Sequence, residues 1–236
     1  GVGRHIARNA IDNMARVQLE MGSKNALVVL DDADMDVAVN CALAGGYFGT
    51  GQKCTASSRI IVQAGIHDAF VEKLSAAVSK LVVGHALGEG SQIGPVVDAR
   101  QLQQNLDFIQ IAKDEGAELV VGGERLNLDT EGFFMSPALF VNTSNQMRIN
   151  REEVFGPIAC VIKVDSYEQA LEVSNDSDFG LTSGIITNSL KYAGHFKRHS
   201  QSGCVMVNLP TAGTDYHVPF GGRKNSSYGP REQGSS

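Results

Sequence analysis

The sequence predicts an α/β fold in which a mostly parallel sheet carries helices on both faces. Strand-like and helix-like segments alternate along most of the 236 residues, and this order favours parallel strands joined by helices. Hydrophobic residues make up 42% of the chain, which is enough to bury a substantial core. A disordered or fibrous chain is therefore not expected.

The first thirty residues predict a helix and two short strands. Gly1-Val2-Gly3 is typical of the end of a Gly-rich turn that leads into a helix. Apolar runs at 17–20 and 26–30 have strand character, and the polar break at 22–25 is where we expect a domain hinge. Because the chain does not begin with Met, we expect that preceding residues have been removed.

The rest of the chain continues the alternation and ends in a long loop. Asp32 or Asp34 suits the cap of a buried helix that runs to about Phe48 and leads into a Gly-rich loop. Periodicity predicts further helices near 70–81, 102–109, 166–175 and 189–198, and strands near 119–121, 138–142, 158–164, 183–187 and 204–207. The stretch 208–236 is rich in Gly, Pro, Ser and Thr, which is typical of loops that line a site.

Charge and composition exclude several classes of partner. A net charge of −6 provides no broad basic field, so nucleic acid is not an expected partner. No window approaches a membrane span and the first residues do not have the order of a signal peptide, so we expect a cytoplasmic protein without a membrane partner. The four cysteines lie far apart without metal-ligand spacing, so neither a metal site nor disulfides are predicted.

One cysteine has surroundings that suit a nucleophile. Cys41 and Cys204 have apolar neighbours and fit the ordinary role of a small buried hydrophobe. Cys54 follows two glycines, Gln52 and Lys53. Glycines let a ligand approach the backbone closely, and a nearby positive charge favours the thiolate. The sequence therefore predicts a reactive thiol at Cys54, with an inert buried thiol as the alternative.

Two segments around this cysteine resemble motifs of the aldehyde dehydrogenases. Phe48-Gly-Thr-Gly-Gln-Lys-Cys-Thr-Ala-Ser-Ser-Arg59 resembles the nucleophile loop of that family, and Leu19-Glu-Met-Gly-Ser-Lys-Asn25 resembles its Glu-Leu-Gly-Gly-Lys motif. The resemblance implies that Cys54 attacks an aldehyde carbonyl and that Glu20 is the general base for hydrolysis of the thioester. Aldehyde oxidation through a thioester needs such a soft nucleophile and such a base. The alternative for Glu20 is a surface carboxylate or an ion-pair partner.

A third segment resembles the family's motif for holding the cofactor, NAD or NADP. Asn150-Arg-Glu-Glu-Val-Phe-Gly-Pro157 is similar to Glu-Glu-x-Phe-Gly-Pro. The resemblance implies that Glu153 binds the nicotinamide ribose hydroxyls and that Phe155 packs beside the nicotinamide. It also implies cofactor contacts for Met21, Gly22 and Gly3. A carboxylate can accept two hydrogen bonds from a vicinal diol. The alternative is an acidic turn before a strand.

The C-terminal loop resembles the segments that form the family's substrate pocket. These are Asn208-Leu-Pro-Thr211 and Pro219-Phe-Gly-Gly-Arg-Lys-Asn-Ser-Ser227. The resemblance implies pocket roles for Asn208, Thr211 and Phe220, together with Gln52 and Lys53 of the nucleophile loop. Three positions depart from the usual pattern, since Met21 replaces Leu, Ser23 replaces Gly and Asn225 stands where Gly is common.

The resemblance also implies a domain division. Residues 1–22 correspond to the tail of the NAD(P)-binding domain and 23–236 to the catalytic domain, including the C-terminal pocket loop. Most of the cofactor domain and an Asn that helps to bind the oxyanion would lie upstream. Family members continue past Arg-Glu-x-Gly, here Arg231-Glu-Gln-Gly234, into a segment that pairs subunits, so the full-length enzyme is expected to be a homo-oligomer, a dimer or a tetramer. As a fragment, the chain is expected to bind NAD(P) weakly and to have little hydride-transfer activity alone.

The same resemblance implies that the substrate is a small aldehyde. Residues 211–220 and 227–234 are most similar to the subgroup that oxidises α-ketoglutaric semialdehyde (2,5-dioxopentanoate) to 2-oxoglutarate. Succinate semialdehyde or another small aldehyde is the alternative substrate. Two other functions remain open, namely an inactive truncated module with an assembly role and simple esterase activity of Cys54.

Overall fold

A central sheet and the helices around it make up most of the molecule. The computed structural model describes residues 1–230, so the motif at 231–234 lies outside the described residues. The strands are β1 (Leu19–Glu20), β2 (Asn25–Val29), β3 (Ser57–Gln63), β4 (Glu118–Val121), β5 (Arg125–Leu126), β6 (Phe134–Met135), β7 (Ala138–Val141), β8 (Ile158–Val164), β9 (Phe179–Gly180), β10 (Thr182–Ile186), β11 (Cys204–Val207), β12 (Arg223–Lys224) and β13 (Ser227–Tyr228). The helices are α1 (Val2–Asp12), α2 (Met35–Gly46), α3 (Ala64–Val78), α4 (Ala99–Asp114), α5 (Arg148–Arg151), α6 (Tyr167–Asn175) and α7 (Leu190–His199).

The main sheet has seven strands in the order β11-β10-β2-β3-β8-β7-β4. Neighbouring strands are parallel except for β4 and β7, an antiparallel pair at one edge. Parallel neighbours need crossover connections, and helices supply them. The mostly parallel α/β sheet predicted from the alternation of segments is thus confirmed.

Helices cover both faces of the sheet because side chains alternate along each strand. On β3, Ile60 and Val62 pack with α2 and α3, whereas Ile61 packs with α6 and α7 on the other face. On β8, Cys160 packs with α4 and Ile162 with α6, and the two lie on one face because they are two residues apart. Most side chains of the inner strands are therefore apolar.

The sequence pattern did not predict β3, although this strand lies in the middle of the sheet. Its first three residues are polar and resemble a loop. The side chain of Arg59 is nevertheless buried, with 2% of the residue exposed. Its guanidinium donates to three backbone carbonyls and to Oδ1 of Asn145. A buried arginine is tolerated when its donors are satisfied in this way.

The predicted cap of α2 is confirmed. Asp34 is the N-cap, and its Oδ1 accepts hydrogen bonds from the backbone N–H of Asp36 at 2.9 Å and of Val37 at 3.0 Å. The helix ends at Gly46, slightly before the expected end, and the nucleophile loop follows. No helix within residues 1–230 is long and apolar enough to cross a membrane.

The C-terminal loop is anchored by two short strands. β12 pairs with β9, and β13 pairs antiparallel with β1, which places Ser227 opposite Glu20. The rest of 208–230 is irregular, as the composition predicted. The loop thus returns to the segment that carries the candidate base.

Candidate active site

The nucleophile loop leaves the end of α2 and turns sharply before β3. The backbone N–H of Ala56 donates to the carbonyl of Lys53 at 3.0 Å, so Cys54 and Thr55 are the two central residues of a four-residue turn. Gly51 has φ of +62°, and a β-carbon there would collide with the carbonyl of Gly156. Only glycine combines this backbone conformation with so close an approach. The nucleophile loop and the 150–157 motif therefore pack backbone against backbone.

Buried side chains hold the carbonyl groups of this turn, and Thr182 adds a longer bond from its Oγ1 to the carbonyl of Thr55 at 3.5 Å. Asn25, the first residue of β2, donates through Nδ2 to the carbonyl of Cys54 at 2.8 Å and to that of Ala56 at 2.9 Å. Thr211 donates through Oγ1 to the carbonyl of Thr55 at 2.8 Å. The carbonyls of Cys54, Thr55 and Ala56 are thereby fixed by side chains that lie on the buried side of the loop.

The thiol of Cys54 is half-buried, whereas the other three cysteines are buried. Burial raises the pKa of Cys54, and the negative charges of Glu153 and, more weakly, Glu20 raise it further. Hydrogen bonding by the backbone N–H groups of Cys54 and Thr55 lowers the pKa. The thiol is therefore accessible, and hydrogen bonds oppose the unfavourable charges around it.

Lys53 does not have the expected influence on the thiol. Its side chain is exposed, and its stem lies over Gly49. Negative rather than positive side chains act on the pKa of Cys54. The expected effect of Lys53 is therefore not among the causes that set this pKa, since adjacent side chains in a turn can point in different directions.

Glu20 lies at the edge of the same site. Its Oε2 accepts a hydrogen bond from Oγ of Ser227 at 2.8 Å, across the β1–β13 pair. Its charge acts on the pKa of Cys54, so the two side chains are within electrostatic reach. The charge of the predicted base therefore acts on the predicted nucleophile.

The charge of Glu153 acts on the thiol of Cys54, and its side chain also lines a neighbouring cleft. Its Oε1 accepts a hydrogen bond from the backbone N–H of Ser23 at 2.9 Å, and a β-carbon on Gly22 would collide with Oε2. Burial raises the pKa of Glu153, while the Ser23 N–H and the charge of Lys24 lower it. A carboxylate held on one oxygen leaves the other oxygen for an additional donor.

Four of the five predicted cofactor residues line this cleft, which has a volume of about 430 Å³. It is lined by Gly1, Val2, Gly3, Arg4, Met21, Gly22, Glu153, Phe179 and Asn225. Gly3 lies against the Met21 side chain, where a β-carbon would collide with the sulfur. Phe155 lines a smaller cavity beside Glu153, and its φ of +59° is unusual for an aromatic residue. Glu153 lines both spaces.

The predicted pocket residues lie in different parts of the structure. The Gln52 amide accepts from the Val97 N–H at 2.9 Å and donates to the Pro95 carbonyl at 3.5 Å, so it ties the loop to a neighbouring segment. Thr211 is fully buried behind the turn. Phe220 is half-buried in the C-terminal loop.

Asn208 lies far from the thiol along the strand direction. Its side-chain amide bonds to both the N–H and the carbonyl of Thr187, just after β10 and β11 end. Cys54 precedes the start of β3, and β2, β3 and β10 are parallel. The two residues are therefore at opposite ends of these strands, and the structure does not bring them together.

Comparison with known proteins agrees with these motifs. A sequence model of the aldehyde dehydrogenase family matches residues 1–236. The chain belongs to the aldehyde dehydrogenase family. It is 42% identical over 237 residues to an alpha-ketoglutaric semialdehyde dehydrogenase of Bacillus subtilis, and this match covers 100% of the chain and 49% of the relative. An alpha-ketoglutarate semialdehyde dehydrogenase of Haloferax volcanii is 41% identical over 239 residues, with 100% and 49% covered.

Solved structures of aldehyde dehydrogenases share the fold. A crystal structure of betaine aldehyde dehydrogenase from Staphylococcus aureus in complex with NAD⁺ superposes with a TM-score of 0.95 at 36% identity. The match covers 99% of the chain and 46% of that protein. The chain spans about half the length of the relatives that it matches.

Two site residues of this aldehyde dehydrogenase chain were missed by the sequence analysis. Asn25 begins a strand in which every residue is buried, and a polar residue at such a position needs partners, a signal that could have singled it out. Ser227 carries no local signal, because only the β1–β13 pairing brings it to Glu20. Residues 1–230 contain no group of three or more potential metal ligands.

Proposed function

We propose that the chain carries the nucleophile and the base of an NAD(P)-dependent enzyme that oxidises an aldehyde to a carboxylic acid. The observation that supports this most directly is that the thiol of Cys54 is half-buried and lies within electrostatic reach of Glu20 and Glu153. A thiol in the core would not be reachable. A thiol on an open surface would not be aligned with a base.

The chemistry follows from the properties of these groups. The Cys54 thiolate attacks the aldehyde carbon and forms a C–S bond, while the carbonyl electrons move to oxygen, which the Cys54 N–H can stabilise. NAD(P) held beside Glu153 and Phe155 would supply the hydride acceptor, and loss of a hydride from this carbon leaves a thioester on Cys54. Glu20 takes a proton from water as its oxygen attacks the thioester carbon. Cleavage of the C–S bond then releases the acid and restores the thiolate.

The cleft beside Glu153 suits the cofactor of this reaction. Glu153 would bind the ribose hydroxyls through its carboxylate, and Phe155 would lie beside the nicotinamide. Gly22 leaves space against the Glu153 carboxylate that any other residue would fill. Met21 and Gly3 line the same cleft. The S. aureus relative was solved in complex with NAD⁺, which supports a dinucleotide here.

We further propose that 1–22 belongs to the cofactor domain and 23–236 to the catalytic domain. Residues 1–22 contribute α1 and β1, neither of which joins the seven-stranded sheet. The chain spans about half of its relatives, so the Asn oxyanion donor and most cofactor contacts would come from outside it. The complete enzyme would be a homo-oligomer.

The proposed substrate is α-ketoglutaric semialdehyde. Relatives carrying this name in Bacillus subtilis and Haloferax volcanii match the whole chain at 42% and 41% identity. Betaine aldehyde dehydrogenases such as that of Rhizobium johnstonii match at 36% over 228 residues. The semialdehyde is favoured over betaine aldehyde on this difference, and succinate semialdehyde is the alternative.

Protection of Cys54 from alkylation tests the proposal without requiring turnover. The chain is treated with iodoacetamide alone or after incubation with α-ketoglutaric semialdehyde, succinate semialdehyde or betaine aldehyde, and labelling at each cysteine is measured by mass spectrometry. We expect α-ketoglutaric semialdehyde to protect Cys54 at the lowest concentration, because a thiohemiacetal occupies the sulfur.

Matched variants control this experiment. Cys54→Ala should remove the protectable label, whereas Cys41→Ala should leave it unchanged because Cys41 is buried. Labelling that no aldehyde suppresses would contradict the proposed nucleophile. Equal protection by all three aldehydes would contradict the proposed substrate but not the reaction.

A further inference from the structure

We propose that Asn25 is a positioning residue that makes Cys54 reactive by turning the peptide group between Cys54 and Thr55 toward the sulfur. Asn25 does not touch the thiol. It holds the carbonyl of Cys54 on the opposite side of the loop, at 2.8 Å. Its effect on the thiol would pass through the backbone.

Asn25 can orient the N–H of Thr55 because the peptide group between Cys54 and Thr55 is planar. In a trans peptide the C=O of one residue and the N–H of the next point in opposite directions. Once Asn25 holds the carbonyl of Cys54 on the protein side, the N–H of Thr55 must point to the other side. That N–H is one of the two backbone groups whose hydrogen bonding lowers the pKa of Cys54.

The side chain of Asn25 is suited to this task because all its polar atoms are occupied. Its Oδ1 accepts from the Thr182 N–H at 3.0 Å, which determines which way the amide faces. Its Nδ2 then donates to the carbonyls on both sides of Thr55, those of Cys54 and Ala56. The residue is 2% exposed, so water cannot readily replace these bonds.

Thr211 provides a contrast within the same turn. It holds the carbonyl of Thr55, and the N–H of that peptide group belongs to Ala56. This N–H donates to the carbonyl of Lys53 rather than to the sulfur. Releasing the Thr211 bond should therefore loosen the turn without removing a donor from Cys54.

The inference rests on the proposed role of Cys54 but is measured on the thiol alone. The rate of alkylation of Cys54 by iodoacetamide is followed from about pH 6 to about pH 11, because only the thiolate reacts. The full chain is compared with Asn25→Ala, Asn25→Ser and Thr211→Val. Circular dichroism checks that each variant is folded.

Loss of the amide should shift the pH profile of Cys54 alkylation to higher pH. For Asn25→Ala we expect the rate near about pH 8 to fall about three- to tenfold, with little change in the plateau at high pH. Asn25→Ser, whose hydroxyl can donate to one carbonyl, should give a smaller change in the same direction. Thr211→Val, which loosens the turn but releases neither of the two carbonyls that Asn25 holds, should shift the profile less than Asn25→Ala does.

Two results would overturn the inference. One is a pH profile for folded Asn25→Ala or Asn25→Ser that matches the parent. The other is an equal shift in Thr211→Val, which would mean that the turn responds to any loosening. If Asn25→Ala does not fold, Asn25→Ser decides the question. Loss of aldehyde protection with an intact shift in the alkylation profile would contradict the proposed function and leave this inference in place.

Discussion

Opposing influences act on the sulfur of Cys54. Burial and the charges of Glu153 and Glu20 raise the pKa of the thiol, whereas two backbone N–H groups lower it. A raised pKa means that the thiolate fraction at neutral pH is smaller than for an ordinary cysteine, and that reactivity increases with pH. A bound cation or a neutralised carboxylate near the site would therefore activate the nucleophile.

Glu153→Gln tests the electrostatic part of this account. The isosteric amide can still accept the hydrogen bond from the Ser23 N–H, so only the charge is removed. Because that charge raises the pKa of Cys54, we expect alkylation near about pH 8 to become about two- to fivefold faster. The measurement is the pH profile of iodoacetamide labelling.

The neighbouring glutamate supplies the control for this prediction. Glu152 is exposed and its carboxylate pairs with Arg148 at 2.6 Å. Glu152→Gln should leave the labelling of Cys54 unchanged. A slower reaction in Glu153→Gln would show that the carboxylate acts through structure rather than charge.

At the scale of elements, the nucleophile loop depends on backbone contacts more than on side-chain packing. Its positive-φ segment at 49–51 lets it approach Gly156, and the Gln52 amide ties it to the segment at 95–97. The loop is thereby locked between α2, β3 and the 150–157 motif. A substitution that separates these backbones should affect stability and reactivity together.

Gly51→Ala should demonstrate this dependence. The added β-carbon meets the Gly156 carbonyl at a φ that alanine rarely adopts, so we expect a loss of about 2–4 kcal/mol in the free energy of unfolding. Urea denaturation measures the loss. Labelling of Cys54 should also change because the turn must shift.

Gly90→Ala is the matched control, since Gly90 has φ of +80° but no atoms within 4 Å of a β-carbon. It should cost about 1 kcal/mol, which is the effect of the backbone conformation alone. If Gly51→Ala costs no more than Gly90→Ala, the close packing of the two motifs is not important for stability.

At the scale of the whole molecule, a buried lysine links the site to the sheet. Lys24 directly precedes β2 and is 3% exposed. Burial and, more weakly, the charge of Arg59 lower its pKa to about 8, while the charge of Glu153 partly opposes this effect. Folding therefore confines a cation that the unfolded chain would keep in water.

This burial predicts a pH dependence of stability. Between about pH 8 and about pH 10.5 the unfolded chain holds the Lys24 proton and the folded chain does not, so stability should increase with pH in this window. Below about pH 8 Lys24 is charged in the folded protein, and burial of this charge lowers the free energy of unfolding by its full amount. Lys24→Met should be more stable at neutral pH by about 3 kcal/mol, and the difference should close as the pH rises.

Thermal or urea unfolding at several pH values measures this difference. Lys80→Met is the control, because the Lys80 side chain is exposed and its head group remains in water. If the free energies of unfolding of the parent chain and Lys24→Met differ by a constant amount across this pH range, Lys24 is protonated in both the folded and the unfolded chain.

Much of the fold could be predicted because hydrophobic periodicity is a local property. The helix that follows Asp34 and the strands at 158–164 and 204–207 were identified from their own residues. The strand β3 was not, because Arg59 is polar and its burial depends on partners that are distant in sequence. Periodicity cannot report such partners.

The sequence by itself determined the order of segments, the parallel sheet and the motifs around Cys54, Glu20 and Glu153. Only the tertiary structure decided which groups meet: that Asn25 and Thr211 hold the nucleophile turn, and that Asn208 lies at the far end of the strands. The physical reason is that motifs specify residue types within a few positions. Hydrogen-bond partners across a sheet are set by register and by the path of loops, and these emerge only when the whole chain packs.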